Sequence, residues 1–360
     1  MAKKTAASEQ ARAAALEKFL RDSKGEAMLL ADAAMDVDAI ATGVLSLDVA
    51  LGVGGVPKGR IIELYGPEHS GKTSVCLAIA GAVHNAGGMV GFIDAEHALD
   101  PKWAETFGVT RDRVVINQPM SGEDGLDMAI NMAASGAFDL IIVDSVAALV
   151  PQAEIDGEMH DQLVGVHARM MSKAMRKMTA IASESNTTVM FINQIREKIG
   201  GYGNPETTTG GKALKFYASV RLEVRSPAGN RLKNGTDVYG QTIRVKVVKN
   251  KVASPFVECE FDLIFGEGID KVGCVLSAAE SCGAVTRPKG SSKYTIATTG
   301  EQIPATGKDN VKAYLAQDAE MRNELVEAVY AAINGLEKTV VEDGSEDMTD
   351  EEIERELVGA

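Results

Sequence analysis

Gly66-Pro67-Glu68-His69-Ser70-Gly71-Lys72-Thr73 sets two glycines, a lysine and a hydroxyl side chain at P-loop spacing. Glycines let backbone N–H groups curl around a β-phosphate, and a helix that follows turns its positive dipole end toward that charge. Lys72 is then placed to reach the β- and γ-phosphates of ATP, and the Thr73 hydroxyl to ligate Mg2+. A Gly-rich turn without a ligand would need neither the apolar run before the motif nor the small apolar stretch after it, and both are present. Asp144 ends the run Leu140-Ile141-Ile142-Val143. A carboxylate at the C-terminal tip of a buried strand either holds a metal-bound water beside the P-loop or caps a helix. Glu96 follows Ile93-Asp94-Ala95. Hydrolysis needs a proton acceptor within reach of the attacking water, so Glu96 is a candidate general base, the alternative being a solvated loop charge.

Two further patterns carry charge or backbone access. From Asp161 to Ser183 a helical pattern puts Met170, Ala174, Met178 and Ile181 on one side. Arg169, Lys173, Arg176 and Lys177 share another face. Such a stripe suits a phosphate backbone, and equally an ordinary exposed helix face. Residues 200–211 contain five glycines in twelve positions, after a strand that ends at Asn193-Gln194. That loop either lets backbone amides approach a ligand or simply connects two elements.

These residues need a scaffold of strands and helices. Ile61–Tyr65, Met89–Ile93, Val114–Ile116 and Leu140–Val143 are short apolar runs separated by helical segments, which predicts a parallel sheet buried on both faces. Val75–Val83 reads as a buried helix, and another starts near Ser121, which stands at capping-box spacing from Asp124. After about Thr188 the runs 188–192, 220–224, 243–248 and 257–264 follow one another with few helical patterns between. In the last, Val257, Cys259, Phe261 and Leu263 alternate with Glu258, Glu260 and Asp262, so one face is solvated and the sheet is expected to finish in antiparallel strands. A smaller α/β module is expected from about Asp270, closed by a helix over 321–333. Near the N-terminus Ala15, Leu16, Phe19 and Leu20 fit one face of a helix over 8–21, which could pack on its own core or a neighbour's.

The chain has 360 residues, 45% of them apolar and 24% charged, the balance of a globular protein with one large α/β domain and appendages. No run of 18 apolar residues predicts a membrane span, and Met1-Ala2-Lys3-Lys4 has no apolar stretch after it to make a signal peptide. Cys76, Cys259, Cys274 and Cys282 have neither metal-ligand nor disulfide-framework spacing and read as reduced thiols of a cytoplasmic protein. The net charge of −14 argues against a nucleic-acid partner until its distribution is considered. Over 340–360 nine acids face one base, Arg355, so −8 lies in that tail and −6 in the other 339 residues. A tail of that composition predicts no packed core of its own, and the rest of the chain can still present a basic face.

Taken together, the motifs and their order resemble the bacterial RecA recombinase family over about 35–336. The resemblance is carried by Gly59-Arg60-Ile61-Ile62-Glu63 with the P-loop, Phe92 to Pro101, Val143-Asp144-Ser145-Val146-Ala147-Ala148-Leu149, Ala168-Arg169-Met170-Met171-Ser172, Phe191 to Arg196, the loop 203–211 and Lys246 to Lys251. It implies an α/β fold with a P-loop RecA-type core, its central sheet mostly parallel with antiparallel strands at one side. It further implies an N-terminal helix and oligomerisation segment over 1–34, the ATPase core with two DNA-binding loops over 35–269, a small α/β C-terminal domain over 270–336 and an acidic tail over 337–360.

The implied activity is that of a DNA-dependent ATPase that forms a helical filament on single-stranded DNA, exchanges strands with homologous double-stranded DNA, and promotes self-cleavage of a LexA-type repressor. By position, Glu96 is the catalytic base, Gln194 senses the γ-phosphate and repositions the second DNA loop, and Lys249 and Lys251 reach the ATP of the adjacent protomer. Asp100 and the ring of Trp103 contact adenine. Arg169, Ser172, Arg176, Ile199, Gly210 and Gly211 contact DNA, and Lys212 adds a phosphate contact. The N-terminal helix docks on the adjacent protomer, and cations such as Lys289 and Lys308 help capture duplex DNA. His69, Trp103, Val164, Glu197, Lys212 and a loop one residue shorter before Gly203 depart from the common pattern. A ring-shaped P-loop DNA motor and an ATP-binding regulator that never touches DNA are the competing readings. A processive unwinding assay separates the first from a recombinase, and a salt-dependent DNA pull-down the second.

Overall fold

The short apolar runs become strands of one sheet, because side chains that alternate between two faces can be covered by helices on both. The computed structural model describes residues 2–23, 27, 29, 37–158, 160, 165–197, 206–227 and 229–342. Helix α1 (Ala2–Asp22) belongs to a unit of its own, Met1–Val37. The second unit opens with the antiparallel pair β1 (Ala39–Ile40) and β2 (Val56–Pro57), which bracket helix α2 (Leu45–Leu51). Then come β3 (Ile61–Gly66), α3 (Lys72–Asn85), β4 (Val90–Asp94), α4 (Pro101–Thr106) and β5 (Val114–Asn117). They are followed by α5 (Gly122–Ala134), β6 (Leu140–Asp144), α6 (Gln152–Asp156), α7 (Val166–Ser185) and β7 (Thr188–Glu197). The core closes with β8 (Glu206–Thr208), α8 (Ala213–Tyr217), β9 (Val220–Arg225), β10 (Arg231–Asn234), β11 (Asp237–Asn250), β12 (Glu258–Ile264) and β13 (Gly268–Ile269).

The strand order is β13-β12-β11-β9-β3-β7-β6-β4-β5. Neighbours from β9 to β5 are parallel, and β11, β12 and β13 add antiparallel strands at the other side, as the change of texture after Thr188 predicts. Strand alternation splits the core in two. Ile62, Leu64, Ile142 and Met190 pack with Val75, Leu77 and Ile79 of α3 on one face. Ile61, Ile141, Val143 and Phe191 pack with α5 and α7 on the other, through Leu126, Met171 and Met178. Each such side chain, fully buried, contributes on the order of 1.5–3 kcal/mol.

Several expectations need correction. β7 runs on to Glu197 rather than ending at Asn193-Gln194, and β8 pairs with it from inside the segment 200–211 that reads as a loop. β5 is not buried on both faces: Val115 is 42% and Ile116 49% exposed, because β5 is the edge strand and pairs with β4 alone. Helix α7 begins at Val166 rather than Asp161, with Gly165 in the N-cap position, and residues 161–164 lie outside the described ones. Ser121 caps α5 as its spacing predicts, accepting from the Asp124 N–H at 3.2 Å.

Beyond the sheet, α9 (Lys271–Ser281), β14 (Val285–Thr286), β15 (Lys293–Ile296), β16 (Gln302–Thr306), α10 (Lys308–Gln317) and α11 (Ala319–Glu342) enclose a third core around Leu276, Tyr294, Val311 and Leu325. Helix α2 lies between that core and the main one. Leu47 and Leu51 belong to the main core, Leu45 and Val49 to the third. Between them Asp48 is buried, with Oδ1 accepting from the N–H and hydroxyl of Thr42 at 2.8 and 2.7 Å and Oδ2 from the Tyr330 hydroxyl at 3.0 Å. Burial pushes its carboxyl up to about 7, against those hydrogen bonds. Among the described residues, no helix is long and apolar enough to cross a membrane.

Candidate functional site

Parallel pairing of β3 with β7 and β9 brings Gly66 to the C-terminal end of the sheet's centre, where the chain turns into α3. Gly71 occupies the N-cap in the left-handed region at φ 90, a conformation that glycine adopts without a Cβ penalty. It offers no side-chain cap, so the first N–H groups of this 14-residue helix are left to a ligand, as an anion site requires. The Lys72 ammonium donates to the carbonyls of Gly66 at 3.1 Å and Pro67 at 2.6 Å. Burial lowers its pKa, and Asp144, Glu96 and Glu68 oppose that shift.

The carboxylates come from the ends of β4 and β6, whose register pairs Asp94 with Asp144. Thr73 donates its hydroxyl proton to Asp144 Oδ2 at 2.8 Å. Burial raises the Asp144 carboxyl to about 6, with Glu96 and Asp94 adding to the effect and Thr73 and Lys72 opposing it. The Ala95 N–H donates to the Asp144 carbonyl at 2.8 Å, which fixes the chain leading to Glu96. Glu96 Oε1 accepts from the Ser145 hydroxyl and, at 3.2 Å, from Gln194 Nε2. The Asp94 carboxylate accepts from the Ala98 N–H at 3.1 Å and from Gln118 Nε2 at 3.0 Å, tying the Glu96 turn to the sheet.

Lys72, Thr73, Asp144, Ser145, Glu96 and Gln194 line one cleft of about 520 Å³, together with Glu68, His69, Ser70 and Trp103. Trp103 donates from Nε1 to Ser74 Oγ at 3.3 Å and meets Phe107 edge-on at 5.0 Å. Ser70 Oγ is buried in the loop with no hydrogen-bond partner among the described residues, and Thr73 and Asp144 are hard oxygen donors of the kind a divalent cation takes. Both observations fit a nucleotide with its metal. Gln241, Leu263 and Phe265 also line the cleft and were not singled out from sequence. Gln241 donates to the His69 carbonyl at 3.3 Å. A signal existed for Phe265, which continues the odd-numbered series Cys259, Phe261, Leu263 one step past the strand.

Of the residues expected at the nucleotide, Gly66, Pro67, Asp100, Lys249 and Lys251 do not line the cleft; Gly66 and Pro67 reach it only through the carbonyls that hold Lys72. Asp100 caps α4, accepting from the Lys102 N–H at 2.8 Å. Lys249 donates to the carbonyls of Lys215 at 2.8 Å and Phe216 at 3.1 Å. Lys251 is exposed and lies one residue past β11, whose register against β9 shifts between Val247 and Lys249. A second cluster forms around α7. Arg169, Lys173, Arg176 and Lys177 are all exposed, and Ser172 donates to the Ala168 carbonyl at 2.7 Å. Gly210 and Gly211, at φ 81 and 76, press against this helix: a Cβ on Gly211 would stand 2.9 Å from the Ala168 Cβ. Lys212 is exposed beside them at the start of α8. Ile199, Tyr202 and Val164 lie outside the described residues, as does the tail from 343 onward.

A nucleotide-binding loop at the centre of a doubly covered parallel sheet, with carboxylates from two further strand ends, defines a P-loop nucleotide hydrolase. Residues 10–270 match the family model of the RecA N-terminal domain. The chain is 54% identical over 311 residues to the RecA protein of Ruminococcus albus, covering 86% of this chain and 76% of that one. It is 50% identical over 325 residues to RecA of a Nocardioides species and 49% over 323 to RecA of Clostridioides difficile, each covering 91% of the relative. The chain belongs to the RecA family: it is a DNA-dependent ATPase and a recombinase of DNA repair, which binds nucleotide and DNA and associates with itself.

Proposed function

We propose that the nucleotide is ATP with Mg2+ and that the protein assembles in the cytoplasm as a helical filament on single-stranded DNA. The filament pairs that strand with homologous double-stranded DNA, exchanges strands, and promotes self-cleavage of a LexA-type repressor in the SOS response. The observation that carries the reading is the single cleft joining the α3 N-terminus, Thr73 with Asp144, and Glu96 with Gln194.

In this cleft the backbone N–H groups from Glu68 to Thr73 hold phosphate, and Lys72 exchanges its carbonyl partners for phosphate oxygens. Thr73 and Asp144 would hold Mg2+, which when bound would supply positive charge to those oxygens. Glu96 takes the proton of the attacking water. Ser145 and Gln194 both bond its Oε1, which leaves Oε2 for the water and supports this reading. Trp103 stacks on adenine with Asp100 nearby, and Lys249 and Lys251 act on the adjacent protomer's ATP. Arg169, Ser172, Arg176, Gly210, Gly211 and Lys212 take the DNA backbone, and Ile199 contacts DNA with them. Residues 1–34, 35–269, 270–336 and 337–360 act as oligomerisation segment, ATPase core, duplex-capturing module and acidic tail. ATP turnover and transfer of a labelled strand, each measured with and without single-stranded DNA and Mg2+, test the whole. Turnover that ignores single-stranded DNA, or transfer that ignores homology, refutes it.

A further inference from the structure

Strand alternation sends two neighbouring polar side chains of β7 in opposite directions. Gln194 lines the cleft, while Asn193 is 0% exposed. Every hydrogen-bonding position of the Asn193 amide is occupied. Nδ2 donates to Glu63 Oε1 at 2.9 Å and to the Thr209 carbonyl at 3.1 Å. Oδ1 accepts from the Gln194 N–H at 2.9 Å and from the Thr209 hydroxyl at 2.5 Å. Only an amide supplies two donors and two acceptor lone pairs at one position. Aspartate would lose both donors and set a second carboxylate against Glu63.

Glu63, on β3, is itself fully buried, and its Oε2 accepts from Arg221 Nε at 2.5 Å. A buried carboxylate persists only when its charge is paired and its lone pairs are satisfied, and here Arg221 and Asn193 do both. The Arg221 guanidinium lies 4.6 Å above the Tyr65 ring. Thr209 directly precedes Gly210 and Gly211, which press on α7 beside Arg169 and Ser172. It also follows β8, which pairs with β7 through Ile195–Thr208 and Arg196–Thr207. The Asn193 side chain thus adds one more rung to that ladder, at the point where the loop returns to the sheet.

The geometry points to Asn193 as a positioning residue, anchored by Glu63, that clasps the returning loop end Thr209–Gly211 to the strand carrying Gln194. Through the clasp, a shift of Gln194 on nucleotide binding moves the loop end against α7, and a shift of the loop end on DNA moves Gln194. The inference rests on the reading that Gln194 faces nucleotide and Gly210 and Gly211 face DNA. A merely structural amide would affect stability alone, whereas a clasp sets how far nucleotide changes DNA affinity.

The test measures the affinity of the full-length protein for a labelled oligodeoxythymidylate by anisotropy, with and without a non-hydrolysable ATP analogue. Calorimetry gives the affinity for the analogue itself. In the unmodified protein the analogue is expected to tighten DNA binding by about tenfold, within the usual range of coupling between sites. In Asn193→Leu that factor should fall to about threefold or less while analogue affinity changes by less than about threefold. Thr209→Val, which removes one hydroxyl at a partly exposed position, should give an intermediate factor and decides the matter if Asn193→Leu does not fold. An unreduced factor in Asn193→Leu, or in Thr209→Val should the first variant not fold, overturns the clasp alone. No analogue effect in the unmodified protein overturns the underlying reading, and the clasp with it.

Discussion

Replacing Asp48 by asparagine should make stability less dependent on pH, in a direction opposite to that of most carboxylates. In the folded chain the carboxyl sits at about 7 against an ordinary 3.8, because burial between α2 and α11 outweighs its bonds from Thr42 and Tyr330. A raised acid pKa means that the folded state holds a proton which the unfolded chain has released. Stability from this group is therefore present below the unfolded pKa and lost as pH rises toward the folded one. Above about 5 the unfolded side chain is ionised, so each pH unit costs about 1.4 kcal/mol until the folded group also titrates near 7. Between pH 5.5 and 8 that amounts to about 2 kcal/mol, and asparagine removes it. Its oxygen can still accept from Thr42 and its amide can donate to the Tyr330 oxygen, so the packing is kept. Urea unfolding followed by circular dichroism should show the variant gaining on the unmodified protein as pH rises. The gain corresponds to a midpoint shift of up to about 1 M for slopes of about 2 kcal/mol per molar. A difference between the two proteins that is the same at pH 5.5 and 8 would show that Asp48 does not titrate in this range.

Lys72→Ala should abolish ATP turnover, since a methyl group cannot balance charge developing on phosphate; the loss should reach on the order of 3 kcal/mol or more, and near-normal turnover would sink the P-loop assignment. Deleting 340–360 removes −8 of charge and should strengthen duplex binding, by an amount that fades as salt shortens the screening length to about 8 Å; equal low-salt affinities would refute this. Glu96→Gln and the double variant Lys249→Ala/Lys251→Ala should each be nearly inactive, yet recover part of their turnover when mixed on single-stranded DNA. Labelled filaments proven to be mixed but still inactive would place the lysines elsewhere than on the adjacent protomer's nucleotide.

What was legible in the sequence divides along one physical line. The P-loop, Asp144 and Glu96 stand next to apolar runs whose strand character is local, so their position at strand ends follows from short windows. The antiparallel finish of the sheet was legible for the same reason, through the alternation from Cys259 to Leu263. The exposure of β5 was not, because whether a strand is an edge depends on chain order in space rather than on Val115 or Ile116. Gln241 on β11 and Phe265 just past β12 reach the cleft from far along the chain, brought there by the pairing of β11 with β9 and β12. Asn193 was visible only as a neighbour of Gln194, since its partners Glu63 and Thr209 lie 130 and 16 residues away. Polar burial of that kind is set by tertiary contact and leaves no periodic trace.

Helix α2 is only seven residues long, yet it is wetted on neither broad side: Leu47 and Leu51 look into one core, Leu45 and Val49 into another. It is a party wall. A fragment ending near Ile269 would keep the wall but strip its far side, exposing Leu45 and Val49 together with an ionisable Asp48 deprived of Tyr330. The part from Lys271 onward, made alone, would have the complementary wound. Shortening this protein at the seam therefore yields two sticky halves, and a soluble fragment of either needs the wall rebuilt, with polar residues at 45 and 49 or with α2 grafted onto the second piece.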